Sequence, residues 1–205
     1  MNTLSAPKSA KDSALHRRSI RKYEEQDIPK EQIDELLTLA GRAPSAWNIQ
    51  PWHVYAIRSQ DVKDKIQAAA PYNRHIQSAP IVLVITSDMA LALTRLHDAL
   101  RHFSDEQRAT TIATIHGVFD AMPVAARESW GRNQSYIFLG YLLLIAETMG
   151  LGTSPMLGFD PAGVRNALSL EAHVEVVALV AVGYAAEEGL ASSRLPIETI
   201  STIIE

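Results

Sequence analysis

The chain has 205 residues, 47% hydrophobic and 20% charged, with a formal net charge of −4 at pH 7 and no cysteine. That length can bury a sizeable core without disulfides or metals, and it predicts one domain. The acidic balance argues against nucleic acid or an anionic membrane as the main partner, and the missing cysteine excludes disulfides, thiol nucleophiles and thiolate metal sites.

The N-terminal stretch MNTLSAPKSAKDSAL lacks the apolar core of a secretory signal, so a cytoplasmic protein is expected. Residues 1–13 are small and polar and read as a flexible N-terminus, with a single domain over 14–205. Next, DIPKEQIDELLTLAGRAP predicts a helix with Pro29 in its first turn. Ile33, Leu36, Leu37 and Ala40 repeat at helical spacing, and Gly41 and Pro44 are stop signals. WHVYAIRS predicts a strand, DVKDKIQAAA a short helix and APIVLVITSD a buried strand. From Met89 to about Ala125 the pattern is helical.

Ser129 to Met149 predicts a long central helix, apolar on nearly every face. The run YIFLGYLLLIAETMGLG carries Glu147 and is too short to span a bilayer, so no membrane partner is expected. GLGTSPMLGFDPAGVRNALSL reads as a punctuated turn leading, with Asp160 as N-cap and Pro161 at the first position, into a short helix. VEVVALVAVGYA predicts a buried strand. The tail SSRLPIETISTIIE is apolar at its end and reads either as a terminal strand on the same sheet or as a segment packed on a partner chain. The fold class is α+β, a small mixed sheet flanked by helices.

Three constellations can carry chemistry. In HRRSIRKY, the fork-shaped guanidiniums of Arg17, Arg18 and Arg21, with the Ser19 hydroxyl, suit a phosphate; alone, the run also reads as a solvated basic face. RAPSAWNIQPW supplies the Asn48 and Gln50 amides and free backbone N–H groups that can read a heterocycle edge, with Trp47 as an aromatic wall. The same stretch also reads as a capped loop with Trp47 and Trp52 as core anchors. In SPMLGFDP, Pro155 and Gly158 set a turn whose N–H groups can donate to a ligand. The histidines form no metal site: His97 and His102 are five apart, not three or four, while His53 and His116 read as ordinary partly buried residues. The common dinucleotide, P-loop, hydrolase and zinc-protease signatures are absent.

Taken in order, Arg17-Arg18-Ser19-Ile20-Arg21, Pro44-Ser45-Ala46-Trp47-Asn48-Ile49-Gln50-Pro51-Trp52, Pro155-Met156-Leu157-Gly158-Phe159-Asp160 and Ser193-Arg194-Leu195-Pro196 resemble the FMN-dependent nitroreductase family. The match runs from about Leu15 to Pro196. The resemblance implies a nitroreductase-like fold, an intertwined homodimer with FMN at its interface, and NAD(P)H as reductant. It implies ping-pong hydride transfer to a small-molecule electron acceptor such as a nitroaromatic or a quinone, the flavin carrying the chemistry and no side chain acting as an obligatory catalyst.

Residue by residue, the resemblance puts Arg17 and Ser19 on the phosphate and ribityl groups, with Arg18 assisting and Arg194 returning to the phosphate. Arg21 falls at the pyrimidine end of the flavin. Pro44, Ser45, Ala46 and Asn48 reach the cofactor from the other subunit, and Trp47 sits at the substrate pocket. Met156, Leu157 and Gly158 offer N–H groups to the flavin N5 and O4 edge. Asn73 or Gln77 could face the pyrimidine edge. The chain departs from the family at Leu157, where many relatives have a glutamate, and at Ser192, where a lysine is frequent. Other readings within the fold are an enoyl or aldehyde reductase, a dehalogenase and a flavin-fragmenting enzyme. Outside it stand a flavin-binding protein with little turnover and a helical scaffold without cofactor.

Overall fold

In the computed structural model, which describes residues 9–205, one sheet is built from β1 (Trp52–Ile57), β2 (Ile81–Ser87), β3 (Gly152–Met156) and β4 (Glu175–Gly183). Their spatial order is β1-β2-β4-β3, and every neighbouring pair is antiparallel. The expected mixed sheet is therefore corrected. β2 and β4 are β-branched runs buried on both faces, a pattern usual for parallel strands that antiparallel strands share when helices cover both sides.

The helices are α1 (Ala10–His16), α2 (Lys30–Ala40), α3 (Gln60–Ala69), α4 (His75–Ser78), α5 (Met89–Thr94), α6 (Leu96–Ala99), α7 (Asp105–Phe119), α8 (Val124–Thr148), α9 (Pro161–Leu168) and α10 (Ile197–Ile200). On one face of the sheet, Ile81, Leu83 and Ile85 with Val180 and Val182 pack against Ile33 and Leu36 of α2 and Phe138 and Leu142 of α8. On the other face, Val82, Val84, Leu179 and Ala181 pack against Ile66 of α3, Ile76 beside it and Val164 of α9. The alternation of faces along β2 and β4 follows from the two-residue period of a strand. A third cluster, with Phe119 and Leu96 at its centre, joins α5, α6 and α7 to Ile49 beneath the 42–52 loop. No helix among the described residues is long and apolar enough to cross a membrane.

Two further expectations change and a third narrows. Of the segment 1–13, residues 1–8 lie outside the described residues, whereas 10–13 open α1, with Ser9 as N-cap and Ser13 buried. Residues 152–156, expected as part of a turn, form the edge strand β3, where Pro155 is tolerated because an edge strand has one side free of ladder bonds. Among the described residues the tail pairs with no strand: α10 is short, and Leu195, Ile197, Ile200, Ile203 and Ile204 are exposed. A terminal strand on the same sheet is thereby excluded.

Candidate functional site

The basic N-terminal segment lies along the edge of the sheet. Ser19 forms a parallel bridge with Thr153 of β3, and the Ile20 N–H donates to the Thr153 carbonyl at 2.9 Å. Glu24 N–H donates to the Tyr184 carbonyl at 2.9 Å, and Ala186 N–H to the Lys22 carbonyl at 3.0 Å, which fixes the far end of the segment beside the end of β4. The Tyr23 hydroxyl lies 2.6 Å from the Ile20 carbonyl. Burial, and then Glu187, push its pKa well above the ordinary value.

Beyond β4 the chain crosses this segment closely. Gly189 has φ +73°, and a Cβ there would lie 2.7 Å from Arg18 Cβ and 3.1 Å from the Ser19 carbonyl oxygen. Only glycine fits both the left-handed backbone and the contact. The crossing brings the tail back, so that Ser192 and Arg194 line one cavity of about 250 Å³ with Arg17, Arg18, Ser19 and Arg21. Arg194 Nη1 donates to Ser192 Oγ at 3.0 Å and to the Ser193 carbonyl at 2.8 Å.

The electrostatics of this cavity are those of an anion site. Arg17 Nη1 is buried without a hydrogen-bond partner. Burial first and Arg194 second hold the Arg17 pKa below its ordinary value, with Arg18 adding to the effect and Glu147 opposing it. A desolvated guanidinium next to like charges is costly unless an anion pairs with it, and phosphate oxygens match its planar fork. Arg18 is turned to its own backbone, donating from Nη1 to the Leu15 and Arg17 carbonyls at 3.1 and 3.0 Å.

At the opposite end of β3, Met156 is buried, Leu157 is 61% exposed, and the N–H groups of Leu157 and Gly158 have no partner among the described residues. Asn73 Nδ2 donates to the Gly158 carbonyl at 3.0 Å, whereas Gln77 Nε2 reaches Asp64 at 3.5 Å. Of the two candidates at that edge, Asn73 is the one tied to the turn. Asp160 caps α9 by accepting from Ala162 and Gly163 N–H at 3.0 Å each. No sequence motif points to His75, yet its Nε2 is buried without a partner, and its pKa is lowered by burial and then by Arg21, with Glu187 opposing.

The Pro44–Trp52 stretch is a strained loop. Trp47, Asn48 and Gln50 have φ of 50°, 55° and 50°, a conformation that non-glycine residues adopt at a cost. It is held by Gln50 N–H donating to Ser45 Oγ at 3.0 Å, Ala46 N–H to Gln134 Oε1 at 2.9 Å and Asn48 Nδ2 to the Ala99 carbonyl at 2.7 Å. Trp47 packs edge-on against Phe119 of the same chain at 6.0 Å between centroids, while Trp52 stacks on Phe138 at 5.2 Å. Pro44 and Asn48 line a separate cavity of about 840 Å³, with no lining residue in common with the Arg17 cavity. Within one chain, then, Arg17, Arg18, Ser19, Arg21 and Arg194 converge, and Pro44–Asn48 do not join them.

This fold and these motifs define a nitroreductase-type protein, and the family profile described as "Nitroreductase family" matches residues 14–184. The chain belongs to the nitroreductase family. A Thermus thermophilus protein named NADH dehydrogenase is 46% identical over 192 residues, covering 93% of this chain and 94% of its own. Bacillus subtilis YdgI, named as a NAD(P)H nitroreductase, is 32% identical over 193 residues, covering 90% and 92%. A protein from Exiguobacterium sibiricum, crystallised in complex with FMN, superposes with a TM-score of 0.90 at 26% identity, covering 98% of this chain and 100% of its own.

Proposed function

We propose that this chain is an FMN-dependent NAD(P)H oxidoreductase that acts as a homodimer on nitroaromatics, quinones or similar electron-poor acceptors. The observation that carries this reading is the Arg17 guanidinium, buried at Nη1 without a partner and surrounded by Arg18, Arg194 and Ser19. The names of the Thermus and Bacillus relatives support a reduced nicotinamide as electron donor, and the FMN complex of the Exiguobacterium protein supports the cofactor.

The residues present fit FMN. Arg17, Ser19 and Arg194 would hold its phosphate and ribityl groups. The unpartnered N–H groups of Leu157 and Gly158, beyond the end of β3, would meet the polar edge of its ring. Ser19 pairs with Thr153 and the turn begins at Met156, three residues on; that is about 10 Å along a strand, commensurate with an extended ribityl phosphate. Because these donors are backbone groups, Leu157 in place of a glutamate does not remove them. When bound, FMN supplies the hydride-accepting and hydride-donating chemistry of a ping-pong cycle. Arg21 would set a positive charge at the pyrimidine end, where reduction leaves negative charge.

Pro44, Ser45, Ala46 and Asn48 would come from the second chain. Their separation from the Arg17 cavity within one chain supports that arrangement, as does the exposed apolar tail, which has no cover of its own. The test is a fluorescence titration of apoprotein with FMN, followed by anaerobic addition of NADH or NADPH. Binding of one FMN per chain and bleaching of its colour are expected; a protein that binds no FMN would sink the proposal. Mixed dimers of Arg17→Ala and Asn48→Ala address the second chain: one doubly damaged and one intact site should restore activity over either mutant homodimer, and no restoration would refute the cross-subunit arrangement.

A further inference from the structure

The cavity beneath the Pro44–Trp52 loop is the largest of those described, about 840 Å³, and its wall is cationic. Arg42 enters it from the end of α2, and Arg95, Arg101 and His102 from the segment around α6; Asp98 is its one carboxylate. All three arginines are exposed, and none has a hydrogen-bond or carboxylate partner for its guanidinium among the described residues, Asp98 included. An unneutralised Arg95 is also felt nearby: the His53 imidazole is held below its ordinary pKa by burial first and Arg95 second, with Asp88 opposing. Arginines on an acidic protein commonly find a carboxylate, and three unpaired forks around one concavity make a local anion trap in a chain of net charge −4.

The same cavity is lined by Pro44 and Asn48. Its position beside the loop assigned to the partner's flavin limits what the anion can be. A nicotinamide that reaches that flavin carries a ribose and a diphosphate behind it, and these must trail away from the ring. We infer that Arg42, Arg95 and Arg101 bind the diphosphate of the reducing dinucleotide, so that each chain supplies the coenzyme's anionic subsite to the flavin of the other. This rests on the FMN-dependent reading above. Arginine is suited to the task because it stays charged and forks onto phosphate oxygens, while the loop's own hydrogen bonds to Ala99 and Gln134 keep the cavity wall rigid. The diphosphate is common to NADH and NADPH, so the site serves both.

The experiment compares two reductants that carry the same nicotinamide: NADH, and reduced nicotinamide riboside, which has no phosphate. With the FMN-loaded protein, KM for each is measured by anaerobic flavin reduction for wild type, Arg42→Gln, Arg95→Gln and Arg101→Gln. The expected result is a rise in KM for NADH and NADPH of about fivefold to tenfold per arginine at low salt, the scale of one solvent-screened charge-assisted contact. The riboside KM should move less than about twofold, and raising the salt should weaken only the dinucleotides. Equal changes for both reductants, no change for either, or loss of FMN or of the dimer in the variants would each overturn the assignment, the last by making the arginines interface residues. Failure of the underlying reading is distinguishable in wild type alone: an FMN-loaded protein bleached by neither reductant refutes the oxidoreductase reading and this subsite with it.

Discussion

Replacing Arg17 with alanine should weaken FMN binding while leaving the apoprotein at least as stable as before. Without FMN the guanidinium has a buried Nη1 with no partner, and the repulsion from Arg194 outweighs the attraction of Glu147, with Arg18 adding to the repulsion. Alanine removes that unfavourable arrangement, and the packing lost from a half-buried surface side chain is small. In the complex, the same side chain would make a charge-assisted bond to phosphate, worth roughly 1.5–3 kcal/mol. At about 1.4 kcal/mol per tenfold, Kd for FMN should rise by roughly 10- to 150-fold. The assay is fluorescence quenching on titration of apoprotein, paired with urea unfolding of both apoproteins. Wild-type FMN affinity in the variant would rule out the phosphate contact. So would a matched loss of apoprotein stability, because Arg17 would then be a structural residue.

Gly189→Ala forces a Cβ to within 2.7 Å of Arg18 Cβ at φ +73°, a backbone cost of about 1–2 kcal/mol before the clash. It should lower FMN affinity by displacing Arg194, and unchanged affinity would show that the crossing does not deliver the tail to the site. His75 has its pKa held below the ordinary 6.5 by burial and by Arg21, so protonation opposes folding. Its share of stability is complete above pH 6.5 and is lost as pH falls through the lowered folded value. Thermal melts of apoprotein between about pH 8 and pH 5 should therefore decline on the acid side less steeply for His75→Gln than for wild type, and identical slopes would leave His75 without a part in acid unfolding. Trp47→Ala deletes an edge contact with Phe119 worth about 0.5–1.5 kcal/mol of stability. If the indole also rims the acceptor pocket, relative rates for small and bulky acceptors should change with FMN content intact; an unaltered acceptor profile would leave it a loop anchor only.

Where a residue's neighbours follow from local spacing, the sequence was readable. The apolar repeat of Ile33, Leu36 and Ala40, the Asp160-Pro161 start of α9 and the runs of β2 and β4 all needed only periodicity and capping chemistry. The direction of strand pairing was not readable, because doubly buried strands look alike whether parallel or antiparallel. β3 was hidden by its composition: Gly152, Thr153, Ser154 and Pro155 read as a turn, and only the antiparallel pairing along β4 makes them a strand. From Met89 onward, apolar residues spread round the helices without a dominant face, so the cluster of Leu96, Ile115 and Phe119 under the loop could not be drawn from spacing.

The candidate site divides along the same line. The Arg17-to-Arg21 run is local, but its meeting with Arg194 depends on Gly189, a single residue whose importance appears only when two distant segments cross. His75 likewise stands out only through its buried, unpartnered nitrogen, and the arginine-lined cavity joins residues as far apart as Arg42 and Arg101.

Whether this chain takes hydride from NAD(P)H on FMN and passes it on in a separate step is decided by a two-stage anaerobic experiment. FMN-loaded protein is reduced with one equivalent of NADH, freed of nicotinamide by gel filtration, and mixed with a quinone or a nitroaromatic. The yellow colour should be lost in the first stage and return in the second, with stoichiometric acceptor reduction and no dinucleotide present. Colour that persists with NADH, or a reduced protein that returns nothing to any acceptor, would contradict the two-step transfer.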